Sequence, residues 1–169
     1  MPAGLKQTSS VVSIGFKSLE TGANTFEQVA VDLNLSPLDR EVFVVLAVNL
    51  DPQTPDAVSG TTTSVGCSLT TTSQTAVVGL DNSNCLAAAA NTIKSAAPGE
   101  SCAFQTLGLE TPPATLEYIG IVATNDFFVQ IQGNNNANAK FVKGKVYGYR
   151  ARADASIYSA LVQSEVLSA

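Results

Sequence analysis

The chain contains no histidine and no tryptophan, and a single methionine. Without histidine there is no Ser-His-Asp or Cys-His nucleophile, no imidazole metal ligand and no ordinary general base near neutral pH. Charge is scarce too: Asp, Glu, Lys and Arg make up 14% of the 169 residues, against about a quarter in ordinary soluble domains. A surface so thinly charged has little electrostatic protection against association, which points to contacts among many copies. The three cysteines, Cys67, Cys85 and Cys102, have no CxxC spacing and no histidine to complete a zinc site, so they are expected to be buried, reduced, structural thiols. No GxxxxGK[ST], GxGxxG or GxSxG motif occurs, leaving phosphate cradles and nucleophile elbows without an anchor. Neither an enzyme nor a cofactor is expected. No segment approaches the ~20 apolar residues of a membrane span, and Met1 to Ser10 contains no apolar run, so the reading is synthesis in a cytoplasm with no membrane contact.

The net charge of -5 argues against direct nucleic-acid binding, whose affinity comes largely from Lys and Arg. The charge is unevenly spread. Residues 1–139 hold four basic and twelve acidic side chains, whereas residues 140–169 hold five basic and two acidic ones. The C-terminal segment is a basic feature on an acidic chain.

Polar residues 1–10 are expected as a flexible arm and residues 11–169 as one domain. Val12, Ile14 and Phe16 alternate with Ser13, Gly15 and Lys17, and over Glu27–Leu35 Val29, Val31, Leu33 and Leu35 alternate with Gln28, Ala30, Asp32 and Asn34: both follow the two-residue period of a strand. Glu41 to Leu50 is apolar on both faces, as an interior strand covered on both sides would be. Val65, Cys67 and Leu69 alternate through a Thr- and Ser-rich run that suits a half-buried strand. Cys85 to Ala96, rich in Ala and ended by Pro98-Gly99, predicts a short helix. Cys102 to Leu109 resumes a strand, closed by Thr111-Pro112-Pro113. From Ala153 onward, Ile157, Tyr158, Leu161 and Val162 recur at helical spacing behind Asp154 as cap. The expected fold is all-β: an antiparallel two-sheet β-sandwich of jelly-roll type, with one inserted helix and a C-terminal helix.

Between Leu116 and Arg150, three β-rich runs separated by Thr124-Asn125-Asp126 and by residues 133–139 read as a meander with a long second hairpin loop. Asp126 is the most suggestive acid for glycoside chemistry, though a turn that sends Phe127 and Phe128 into the core accounts for it better. In the last run Val142, Gly144, Val146 and Gly148 share one face, and Phe141, Lys143, Lys145, Tyr147 and Tyr149 share the other. With Arg150 and Arg152 just beyond, Lys143, Lys145, Tyr147 and Tyr149 are candidates for contact with an acidic partner, most simply another copy. The alternative is a solvated strand face facing acids of its own chain.

The residues Tyr118-Ile119-Gly120-Ile121-Val122-Ala123-Thr124-Asn125-Asp126-Phe127-Phe128, Val146-Tyr147-Gly148-Tyr149-Arg150-Ala151 and Ser156-Ile157-Tyr158-Ser159-Ala160-Leu161-Val162 give the segment 116–162 a texture that resembles virion structural proteins, such as phage capsid, cement or decoration proteins. The resemblance implies a jelly-roll-like subunit assembling in many copies into or onto a viral shell. Its partners would be copies of itself and other virion shell proteins, and its location the virion, after synthesis in a host cytoplasm. A basic genome-binding arm is missing, since residues 1–10 carry only Lys6. The competing reading is a carbohydrate-binding β-sandwich, with Tyr147 and Tyr149 as its sugar platform.

Overall fold

A computed structural model describes residues 2–107 and 116–168. Two antiparallel sheets pack face to face. The first contains β2 (Val12–Leu19), β10 (Phe141–Ala153), β4 (Glu41–Pro52) and β8 (Gly120–Val122) in that order, and β1 (Leu5–Gln7) continues the line of β2 along the same edge of β10. The second runs β3 (Glu27–Asp32), β9 (Asp126–Asn134), β5 (Thr63–Thr70), β6 (Cys85–Ala97), β7 (Glu100–Leu107). Apart from the β5–β6–β7 hairpins and the β1–β2 link, each successive strand crosses to the other sheet. That strand order is a jelly roll, with β7 added at one edge.

The alternation read from the sequence builds the core. Val29 and Val31 of β3, Val65, Cys67 and Leu69 of β5, Phe127, Val129 and Ile131 of β9, and Val142 and Val146 of β10 meet between the sheets. On the inward face of β10 the two glycines have a steric role. A Cβ at Gly144 would strike the Asn49 carbonyl and the Phe16 ring, and one at Gly148 the Val44 carbonyl and the Phe43 ring. The rings of β2 and β4 therefore lie across the bare backbone of β10.

A second apolar layer explains why β4 is greasy on both sides. Phe43 and Val45 face the inter-sheet core, while Val42 and Val44 face outward with Tyr149, Ala151 and Ala153. This outer patch is covered by α1 (Ala155–Leu167), whose Ile157, Tyr158, Leu161 and Val162 pack onto it. The helix is thus held by its own sheet. Asp154 caps it by accepting the Ile157 N–H at 3.0 Å. Glu165, in line with the apolar stripe but buried, accepts the backbone N–H groups of Ala123 and Thr124 at 2.7 and 3.0 Å and pins the helix to the β8–β9 turn.

Four expectations are corrected. The Ala-rich segment 85–96 is no helix; it is strand β6, paired on both sides. Alanine is small enough to face both layers, and hydrogen bonds to two neighbours outweigh helix propensities that differ by tenths of a kcal/mol per residue. The meander dissolves as well, because β8, β9 and β10 alternate between sheets; β9 and β10 are not a hairpin. The strand expected over Glu27–Leu35 ends at Asp32, although Leu33 and Leu35 are buried as anticipated. Residues 1–10 are not a free arm: Leu5 is buried, Leu5–Gln7 pairs with β10, and the Thr8 N–H donates to the Arg150 carbonyl at 2.9 Å. The end of the strand expected at Leu109 and the turn at Thr111-Pro112-Pro113 lie outside the described residues.

Candidate intersubunit surface

The outer face of the first sheet is divided in two. Where α1 lies it is apolar and covered; toward the beginning of β10 it is open and cationic. There Lys17 of β2 stands directly opposite Lys143 of β10, with Lys145 two residues further on, and all three are exposed. Strand alternation aims them outward because Phe16, Val142 and Val146 fill the inward side. The ammonium groups of Lys17 and Lys143 lie 4.7 and 4.8 Å from the centroid of the Phe141 ring, so one aromatic serves two cations. Leu19 and Tyr147, 56% and 38% exposed, extend the surface at either end. Among the described residues none of the three lysines forms an ion pair.

The six residues singled out in the sequence separate into three environments. Lys143, Lys145 and Tyr147 share the open face. Tyr149 is 7% exposed and belongs to the layer under α1. Arg150 has the opposite parity: its guanidinium donates to the carbonyls of Leu33 and Asn34 at 2.7 and 3.1 Å and pairs with Glu41 at 3.4 Å. Arg152 lies 3.6 Å from Asp39. The two arginines therefore meet acids of their own chain, as the solvated-face reading anticipates; among the lysines, Lys143 has Asp51 of β4 in register beside it without an ion pair, and Lys145 stands opposite Asn49. Because Tyr149 is covered, Tyr147 and Tyr149 do not form a joint sugar platform. The sequence reading missed Lys17. Its outward position was legible in β2, but the pairing of β2 with β10 was not.

Other polar groups serve the fold. Glu20, 2% exposed, accepts the backbone N–H groups of Gly133 and Lys140 and closes the loop between β9 and β10. A Cβ at Gly133 would crowd the Glu20 carboxylate and the Asn136 amide. Lys140, 4% exposed, reaches the Asp56 carboxylate at 2.6 Å. The other Asp56 oxygen accepts the Ala137 and Asn138 N–H groups, each at 3.0 Å. The Lys140 hydrogen bond, more than the loop amides, holds the Asp56 carboxyl below the usual carboxylate range. Of the cysteines, Cys67 is buried, Cys85 half-buried and Cys102 exposed on β7, which corrects the expectation that all three lie inside; all are free. Burial pushes the Cys67 thiol up to about 12. Among the described residues no cluster of His, Cys, Asp or Glu is suited to a metal, and no helix is long and apolar enough to cross a membrane.

No family model matches the chain, and no curated protein matches it either. Among solved structures it is similar at 12% identity, with a TM-score of 0.17, to a tailspike protein of Acinetobacter baumannii bacteriophage Fri1, a capsular polysaccharide depolymerase. The match covers 73% of this chain and 20% of that one, so the chain spans about a fifth of the tailspike's length. A likeness of that depth carries no argument about function, which rests on the chain's own surface.

Proposed function

We propose that the protein is a non-enzymatic structural subunit that assembles in many copies into or onto a virion shell. The observation carrying this reading is the Lys17–Lys143–Lys145 strip with its exposed aromatic and aliphatic flank. It is an ordered surface of three cations that close no ion pair among the described residues, with one acid, Asp51 of β4, in register beside Lys143, on a protein that is acidic as a whole. A jelly roll supports repeated assembly because its two sheets and the helix docked in cis form a rigid block, and rigid blocks lose little conformational entropy when they associate. Low surface charge works in the same direction, since neutral polar surface is cheap to desolvate relative to charge.

The direct test is the mass and form of the purified protein, by light scattering after size exclusion and by negative-stain electron microscopy across a concentration series. Discrete multi-copy assemblies are expected. A protein that stays monomeric throughout the series refutes the reading.

A further inference from the structure

Two pairs of like charges face each other across neighbouring strands, and the pairs have opposite signs. In the first sheet Lys17 faces Lys143. In the second Asp32 of β3 faces Asp126 of β9. Alternation places the acids on the outer face, because Val31 and Phe127 beside them point into the core. Like charges directly opposite on paired strands oppose sheet formation. Neither pair is relieved by an ion pair among the described residues, although Asp51 of β4 stands in register on the other side of Lys143 and Asp32 accepts the Asn34 N–H at 2.7 Å.

The two pairs cannot relieve each other within one molecule. Asp126 opens β9, and Lys143 stands at the start of β10, beyond the end of β9. The strand between them runs ~27 Å at about 3.4 Å per residue, and the two pairs lie on opposite outer faces of the sandwich. At the acidic end a recess of about 240 Å³ is lined by Asp126, Asn125, Thr71, Thr124 and their neighbours. Thr71 is only 5% exposed, and the hydroxyl oxygens of Thr71 and Thr124 are buried with no hydrogen-bond partner. The Asp126 carboxylate, lining this recess beside Asn125, suits an ammonium group, which has three donors and no acceptor.

We propose that a second copy of this chain docks head to tail, its Lys17–Lys143–Lys145 strip against the Asp32–Asp126 pair, with one lysine entering the recess beside Asp126. The inference rests on the multi-copy reading above and adds the geometry of the contact. Because the two surfaces differ, the contact is heterologous: repeated, it closes into a ring or continues as an open array.

Charge exchange tests it. Lys17→Glu with Lys143→Glu makes both surfaces acidic; Asp32→Lys with Asp126→Lys makes both basic; all four changes together restore complementarity in reverse. Each double variant alone is expected to stay unassembled in sedimentation at physiological salt, an equimolar mixture of the two to assemble, and the fourfold variant to assemble by itself. Thermal melting reports folding, and the milder pairs Lys17→Gln with Lys143→Gln and Asp32→Asn with Asp126→Asn, which leave shape nearly unchanged, are expected to weaken association at least ~10-fold. Folded double variants that assemble like wild type, or a mixture of folded variants that stays dispersed, overturn the docking while leaving a multi-copy wild type standing. A wild type that never assembles overturns both.

Discussion

Single positions in this chain are decided by what lies across from them rather than by residue type. The three cysteines make the point. Cys67 sits between the sheets with its thiol near the Ala89 carbonyl, and burial raises its pKa to about 12. Cys102 stands exposed on β7. Since the thiolate is the nucleophile, alkylation of the native protein near pH 8 is expected to label Cys102 rapidly and to leave Cys67 unmodified until denaturant is added. Mass spectrometry of the labelled peptides reads this directly, and labelling of Cys67 at the rate of Cys102 in folded protein contradicts its placement. Gly144 and Gly148 follow the same logic: the sequence offers a lean strand face, and the facing rings of Phe16 and Phe43 show what the leanness accommodates.

At the scale of elements, β4 shows how a strand can serve two layers. Its register against β10 shifts between Tyr147 and Gly148, leaving Leu46 without a partner in the ladder. The bulge flips the parity: Phe43 and Val45 face the inter-sheet core before it, Val48 and Leu50 after it. Leu46 is only partly buried, beneath α1, whereas Phe127 is 1% exposed at the centre of the sandwich. Phe127→Ala is therefore expected to cost about 3–5 kcal/mol, the range for large buried aromatics. Leu46→Ala is expected to cost clearly less than the 2–5 kcal/mol of a fully buried leucine. Urea midpoints of the two variants compare them, and equal losses mean that Leu46 is as enclosed as Phe127. The helix α1 acts as a lid on the outer layer of the same strand, fixed at one end by Asp154 and at the other by Glu165.

For the whole molecule, the long connection between β9 and β10 ties the two sheets through Glu20, Lys140 and Asp56. Asp56 has its pKa depressed, chiefly by the Lys140 hydrogen bond. A carboxylate depressed in the folded state contributes stability that is fully present above its unfolded pKa of about 3.9 and is lost as pH falls through the lower folded value. Asp56→Asn is thus expected to lower the urea midpoint near neutral pH, and the gap from wild type to close as pH drops below about 4. A gap unchanged down to about pH 2 removes the linkage. In the proposed assembly charge would also operate between molecules. The lysine strip and the aspartate pair sit at opposite ends of the sandwich, so the head-to-tail contact proposed above would relieve both.

The sequence by itself determined the class of fold and most of its inward faces. Two-residue alternation is local, so the inward sides of β3 and β5, with Val29, Val31, Val65, Cys67 and Leu69, could be read before any partner was known. The terminal helix and its cap were legible for the same reason, since helical spacing and an N-cap lie within one short stretch. Tertiary structure alone decided which strands are neighbours. It turned an alanine-rich helix candidate into β6 by giving it hydrogen-bonding partners on both edges, and it distributed β8, β9 and β10 over two sheets. Only that distribution buried Tyr149 under α1, sent Arg150 and Arg152 to acids of their own chain, and brought Lys17 against Lys143. Pairing across 126 residues of chain is a non-local contact, and local periodicity carries no record of it.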